Sequence, residues 1–378
     1  MGREELAAWF RLDLTPGIGS IAARRLLAAF GLPDNVFIQP AEALAQLVSS
    51  EQAQALRREP EGWAAAVDAA WQWLQEATAA GERRILTLAD DEYPQGQLNI
   101  ADPPLMLYVV GQVRSPWPAA VAVVGSRNPT PQGLANARQF SRSFAQAGLT
   151  VVSGLALGVD GAAHEGALEG AAPGRVATIA VVGTGLDRVY PSQHLELAQR
   201  IARDGLLVSE YPLGTPPLAP NFPKRNRIIA ALSQGTLVVE AALRSGSLIT
   251  ARQAAEQGKD VFAIPGSIHA PQSRGCHALL KQGAKLVESA QDVLEELSLP
   301  GSRVAAAAAQ TTDEPAHSGR PEDASVLAAL GFDPVSLDAL VARTGIAPSH
   351  LQARLLELEL EGEVARLPGG LFQRVGTA

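Results

Sequence analysis

Between residues 85 and 297, short β-branched runs alternate with glycine-bearing turns and amphipathic stretches. The runs at 121–124, 150–152, 176–182, 206–208, 236–239 and 261–264 do not alternate apolar and polar residues as a half-exposed strand would. They predict strands covered on both faces, hence a mostly parallel sheet. The stretches at 131–147, 161–169, 195–203 and 247–257 supply the helices between them. Right-handed crossovers then give an α/β fold, a Rossmann-like doubly wound sheet, with ligands expected at the carboxyl ends of the strands.

Two flanking segments follow a different pattern. Leu6, Trp9, Phe10 and Leu12 fit one helical face, and Thr15-Pro-Gly-Ile-Gly19 interrupts the chain. Further helical patterns cover 22–30, 41–48 and 63–80, so residues 1–80 read as a small N-terminal helical domain of the SAM or helix-hairpin-helix kind. Its glycine pair fits either a DNA-contacting hairpin or a plain inter-helix turn, and the segment carries more acidic than basic residues. Residues 298–321 lose the apolar periodicity and read as a linker. In 322–378, helical patterns at 326–330, 336–344 and 348–361 precede strand patterns at 363–367 and 371–375 around Pro368-Gly-Gly370. That order predicts a winged helix.

Composition changes this picture little. The 378 residues are 47% hydrophobic and 19% charged, which fits a folded multidomain protein. The lone Cys276 excludes an intrachain disulfide and a multi-cysteine zinc site. The first residues lack the basic-then-apolar order of a secretory signal, and no apolar run approaches the roughly 20 residues of a membrane span. A cytoplasmic protein is expected. The net charge of −8 disfavours polyanions on average, but a local basic groove overrides an average.

The candidate chemistry lies at the predicted strand ends. Gly125, Ser126 and Arg127 follow the first parallel strand and offer backbone approach, a hydroxyl and a planar cationic fork to a phosphate. Gly154 and Gly158 follow the second and clear side chains from the same edge; Asp160 is placed to cap the next helix, and His164 reads as a buried structural histidine. Asn221-Phe-Pro-Lys-Arg-Asn-Arg227 is the densest signal. Lys224, Arg225 and Arg227 are candidates to neutralise phosphates, Phe222 to stack a base, and Asn226 to cap a helix or meet a base edge. Ser245, Gly246 and Ser247 open the helix after Glu240 and expose amides to an anion.

No GxGxxG, GxxxxGK[ST], GxSxG or HExxH occurs, so nucleotide hydrolysis and hydride transfer lose their usual supports. Asp160, Asp187, Glu210 and Glu240 fall at separate strand ends, which disfavours a metal-dependent nuclease unless they converge in space. Neither cofactor nor metal is expected.

Six motifs, among them Val123-Val-Gly-Ser-Arg127, Val152-Ser-Gly-Leu-Ala-Leu-Gly-Val-Asp160, Gly185-Leu-Asp-Arg-Val-Tyr-Pro191 and Asn221-Phe-Pro-Lys-Arg-Asn-Arg227, occur in the order seen in the DNA-processing protein A (DprA/Smf) family. The chain resembles its three-domain form. The resemblance implies a non-enzymatic protein that binds single-stranded DNA in natural transformation, protects the incoming strand and loads the RecA recombinase onto it against single-strand-binding protein. It also implies a homodimer joined through the Rossmann-like domain, and it places Gly125, Ser126, Arg127, Phe222, Lys224, Arg225 and Asn226 along the DNA pocket. One departure is Leu157, where the family usually has arginine. The fold also resembles the LOG-type nucleotide phosphoribohydrolases, but Thr250 stands at the position of their catalytic glutamate. The winged helix is expected to play a protein-contact or auxiliary role, because Arg354 faces three glutamates in its would-be recognition helix.

Overall fold

The computed structural model describes residues 1–76, 81–297, 321–332 and 334–375. Among them, nine strands form one sheet: β1 (Glu82–Thr87), β2 (Met106–Gly111), β3 (Ala120–Val124), β4 (Thr150–Ser153), β5 (Thr178–Val181), β6 (Leu206–Ser209), β7 (Gly235–Val238), β8 (Asp260–Ala263) and β9 (Lys285–Leu286). Their spatial order is β1-β2-β6-β5-β4-β3-β7-β8-β9. The seven strands from β6 to β9 in that order pair in parallel, and β2 joins β6 and β1 antiparallel. The six predicted core strands are all present; five of them are buried along their whole length and β8 in its second half, as two-sided covering requires.

The chain runs outward from β3 through β4 and β5 to β6, then returns to lie against the other side of β3 as β7. The order therefore reverses between β3 and β7. Outside the carboxyl ends of these strands the crossovers diverge and leave a crevice, the usual ligand position of a doubly wound sheet. Helices Pro131–Gln146 and Val159–Gly170 cover one face, and Asn221–Leu232 and Ser247–Glu256 cover the other beside β7. Val121, Val123 and Val151 pack with Phe140 and Phe144 on the first face; Ala122, Val124 and Val152 pack with Ile228 and Ile229 on the second.

The N-terminal helices do not enclose a wholly separate core. Trp9 and Phe10 from helix Arg3–Leu14, with Val67 and Trp73 from helix Trp63–Gln75, pack on Tyr108 and Val110 of β2 and on Ile201. Phe10 and Trp73 meet the Tyr108 ring edge-on at 6.3 and 6.0 Å. The helix expected over 41–48 stops at Leu44, and a further helix, Ser50–Leu56, starts behind a capping box made by Ser49 and Gln52. The part of the predicted helix at 77–80 and the predicted linker up to residue 320 lie outside the described residues.

The C-terminal segment has the predicted winged-helix order. Helices Pro321–Leu330, Leu337–Thr344 and Pro348–Leu360 are followed by β11 (Val364–Leu367) and β12 (Leu371–Arg374), with a short β10 (Val335–Ser336) pairing β12. Leu327, Leu340, Leu351, Leu355 and Phe372 form its own core.

Candidate functional site

The turns that follow β3 and β4 approach each other more closely than side chains would allow. Gly125 follows β3, and a Cβ there would sit 2.7 Å from Val159 Cγ2. Gly158 has φ +81°, and its Cβ would come within 2.5 Å of the Ser126 carbonyl. The two turns are pinned by the Val159 N–H donating to that carbonyl at 3.1 Å. Between them Leu155 holds a left-handed φ of +58°, which is costly for a side chain bearing a Cβ. Two histidines hold it there. His164 Nε2 accepts from the Leu155 N–H at 3.3 Å, and His194 Nδ1 meets the Leu155 carbonyl at 3.0 Å.

His164 is fully buried and structural, as its position on helix Val159–Gly170 predicted. The Thr178 hydroxyl donates to the Val151 carbonyl, so His164 Nδ1 must donate to Thr178 Oγ1, 2.7 Å away. Nε2 is then the acceptor for Leu155, which fixes a neutral tautomer. Burial pushes the His164 pKa down to about 3, and the neighbouring His194 and Arg225 push the same way.

Below this loop lies Arg225. Only 4% of it is exposed, and its guanidinium donates to the Val181 carbonyl at the end of β5. Gly154 leaves room for that guanidinium, since a Cβ at this position would force it to shift. Asp160 accepts from the N–H groups of Gly154 and Ala156 at 3.1 and 3.4 Å and lies close enough to attract Arg225. Burial lowers the Arg225 pKa to about 10, with Asp160 opposing the shift, so the side chain stays cationic at neutral pH. The charge sits beneath the floor of the crevice.

The heptad 221–227 is the first half of helix Asn221–Leu232, and this changes the role expected for part of it. At 3.6 residues per turn a helix cannot aim four successive side chains into one groove. Lys224 points outward with 54% of its side chain exposed; its Nζ lies 3.5 Å from Glu210 Oε2 and 5.6 Å from the Tyr211 ring centre. Arg227 turns inward. Its Nε meets Asp102 at 2.9 Å, its Nη1 and Nη2 meet Glu210 at 3.1 and 2.6 Å, and its side chain is 6% exposed. The expectation that Arg227 neutralises a phosphate is corrected here: its charge is enclosed by two carboxylates. Asn226 is buried and donates to the Gly246 carbonyl at 3.2 Å, which ties this helix to the turn at Ser245–Ser247. In that turn the Ser245 and Ser247 hydroxyls hydrogen-bond each other at 2.7 Å, while Gly246 and Arg244 are exposed.

At the rim, the exposed Arg127 guanidinium lies 5.6 Å from the centre of the half-buried Phe222 ring. Gly183, in the turn after β5, lets that ring approach its backbone: a Cβ would come 3.1 Å from Phe222 Cδ1. Tyr190 completes the group, with its ring centre 5.6 Å from that of Phe222. The sequence reading did not single out Tyr190, Asp102 or Glu210 for these roles. Only the folded chain brings a tyrosine 32 positions upstream against Phe222, and a lone Tyr-Pro in a loop carries no periodic signal.

The strand-end carboxylates do not converge. Asp160 serves two amides, Asp187 accepts from the Gly214 N–H at 2.8 Å, and Glu210 serves Arg227. Glu240 accepts from the Thr130 N–H at 2.9 Å and from its hydroxyl, which fastens β7 to the cap of helix Pro131–Gln146. Among the described residues no group of three His, Cys, Asp or Glu could hold a metal ion. Thr250 is buried.

Residues 84–298 match the family model of DNA recombination-mediator protein A, and residues 305–370 match that of the DprA winged helix domain. Protein Smf of Synechocystis is 34% identical over 99% of this chain and all of its own length. Among solved structures, DNA processing protein A from Streptococcus pneumoniae superposes with a TM-score of 0.66 at 37% identity, covering 79% of this chain and 99% of that one. The Helicobacter pylori protein of the same name, whose structure is described in terms of its single-stranded DNA binding mode, gives a TM-score of 0.51 at 35% identity over 57% of this chain and 95% of that one. With its reversing parallel sheet, its glycine-lined crevice and its winged helix, the chain belongs to the DNA recombination-mediator protein A (DprA/Smf) family.

Proposed function

We propose that this chain binds single-stranded DNA in the crevice at the carboxyl ends of β3 to β6, and that it does so without cutting the strand. The observation that carries this reading is the exposed Arg127 beside the Phe222 and Tyr190 rings, with the buried cation Arg225 and the exposed Lys224 on the same helix as Phe222. Cations and turn amides suit a phosphate backbone, and rings suit bases of any identity, so affinity with little sequence preference follows. Gly125, Ser126, Gly154 and Gly158 contribute by bringing backbone within reach of the strand, and Phe222 belongs to the aromatic wall. Ser245, Gly246 and Ser247 extend the site toward the open end of helix Ser247–Glu256.

The Helicobacter pylori relative, described by its single-stranded DNA binding mode, supports the same ligand class for this chain. In the same reading the protein acts in natural transformation in the cytoplasm, guards the incoming strand against single-strand-binding protein and hands it to RecA, working as a homodimer through the sheet domain. The winged helix, whose helix Pro348–Leu360 carries glutamates at 357 and 359, serves a protein contact rather than groove readout.

A gel shift with single- and double-stranded oligonucleotides, run with and without magnesium, tests the proposal. The expected result is retention of the single strand at full length in both buffers. Magnesium-dependent shortening would mark a nuclease, and release of ribose phosphate from a nucleoside monophosphate would mark a hydrolase.

A further inference from the structure

We propose that Tyr190, rather than Phe222, is the ring on which a base of the bound strand stacks, with Phe222 serving as its backing. The inference deepens the single-stranded DNA reading and rests on it.

Phe222 is already surrounded. The Gly183 backbone lies against its edge, the Arg127 guanidinium lies 5.6 Å from its centre, and the Tyr190 ring leans on it at an interplanar angle of 40°. The gap of 5.6 Å between the two ring centres is too small for a base to enter, since a sandwiched base needs about two stacking distances of 3.5 Å each. Phe222 is therefore a poor direct platform.

Tyr190 has the complementary properties. It is 46% exposed, and its hydroxyl has no hydrogen-bond partner among the described residues. Its loop is nevertheless held on both sides. The next residue, Pro191, is buried, His194 anchors to the Leu155 carbonyl at 3.0 Å, and Asp187 accepts from the Gly214 N–H at 2.8 Å. The ring is thus presented by a fixed segment, and a base stacking on it loses little loop entropy. Arg127, exposed beside the Phe222 ring, supplies the cation for the adjoining phosphate.

The test measures binding of an oligothymidylate and of a strand of equal length that lacks bases, by wild type, Tyr190→Ala, Tyr190→Phe and Phe222→Ala. Wild type should retain both strands, the base-bearing one more tightly. Tyr190→Ala should lose about 5- to 150-fold on the base-bearing strand and little on the base-free one. Tyr190→Phe should keep wild-type affinity for both, because the face and not the hydroxyl is used. Phe222→Ala should weaken both strands, through displacement of Arg127 and Tyr190. Equal binding of the base-bearing strand by Tyr190→Ala and wild type would overturn the inference. So would a base-dependent loss confined to Phe222→Ala. If wild type retained neither strand, the single-stranded DNA reading itself would fail.

Discussion

Gly154 and Arg225 occupy mutually exclusive space: the side chain that any other residue would place at 154 falls on the guanidinium that reaches the Val181 carbonyl. The glycine-rich turn after β4 is thereby required by a buried cation as much as by a ligand. Gly154→Ala should force Arg225 off its carbonyl or push the turn outward, at a cost of about 1–3 kcal/mol typical of overpacking. Thermal unfolding checks this, and the expected drop in Tm is several degrees. An unchanged Tm would show that the turn adapts freely.

Lys224 and Arg227, three residues apart on one helix, should respond very unequally to substitution. Arg227→Ala leaves Glu210 buried without its guanidinium and should destabilise the fold by roughly 3–5 kcal/mol. Lys224→Ala removes an exposed side chain and should change stability by less than about 0.5 kcal/mol. Denaturant midpoints of the two variants separate these outcomes; similar losses would mean that Lys224 is a structural partner of Glu210.

His164 should make the protein acid-sensitive. Its folded pKa of about 3 lies below the unfolded value of about 6.5, so the unfolded chain gains the proton first. The stability tied to neutral His164 is complete above that unfolded value and is lost as pH falls toward 3, at about 1.4 kcal/mol per unit. In nuclear magnetic resonance spectra the His164 ring should stay in its neutral form down to about pH 5 while the chain is folded. Titration of that ring near 6.5 would mean that it is solvated.

The fold was legible because its signals are local and repeated. The parallel strands are continuous apolar runs, and the helices between them carry caps such as Thr130 before Pro131. β1 was not legible, since Glu82, Arg83 and Arg84 occupy half of an edge strand whose outer side meets water. In the site, glycines and cations announced the strand ends. Which cation faces the crevice depends on helical phase and on counterions far away in sequence, as Asp102 is from Arg227. The tie between Glu240 and Thr130 likewise spans 110 positions and leaves no local trace.

Salt dependence of binding links the exposed cations to phosphate. Affinity for an oligothymidylate should fall linearly with the logarithm of salt concentration, and each phosphate contact should contribute a slope of about 0.7. Arg127→Ala with Lys224→Ala should reduce the steepness by about 1.4, for the two contacts removed, and should weaken all sequences alike. A double variant with the wild-type slope would contradict the account and place the phosphates elsewhere on the protein.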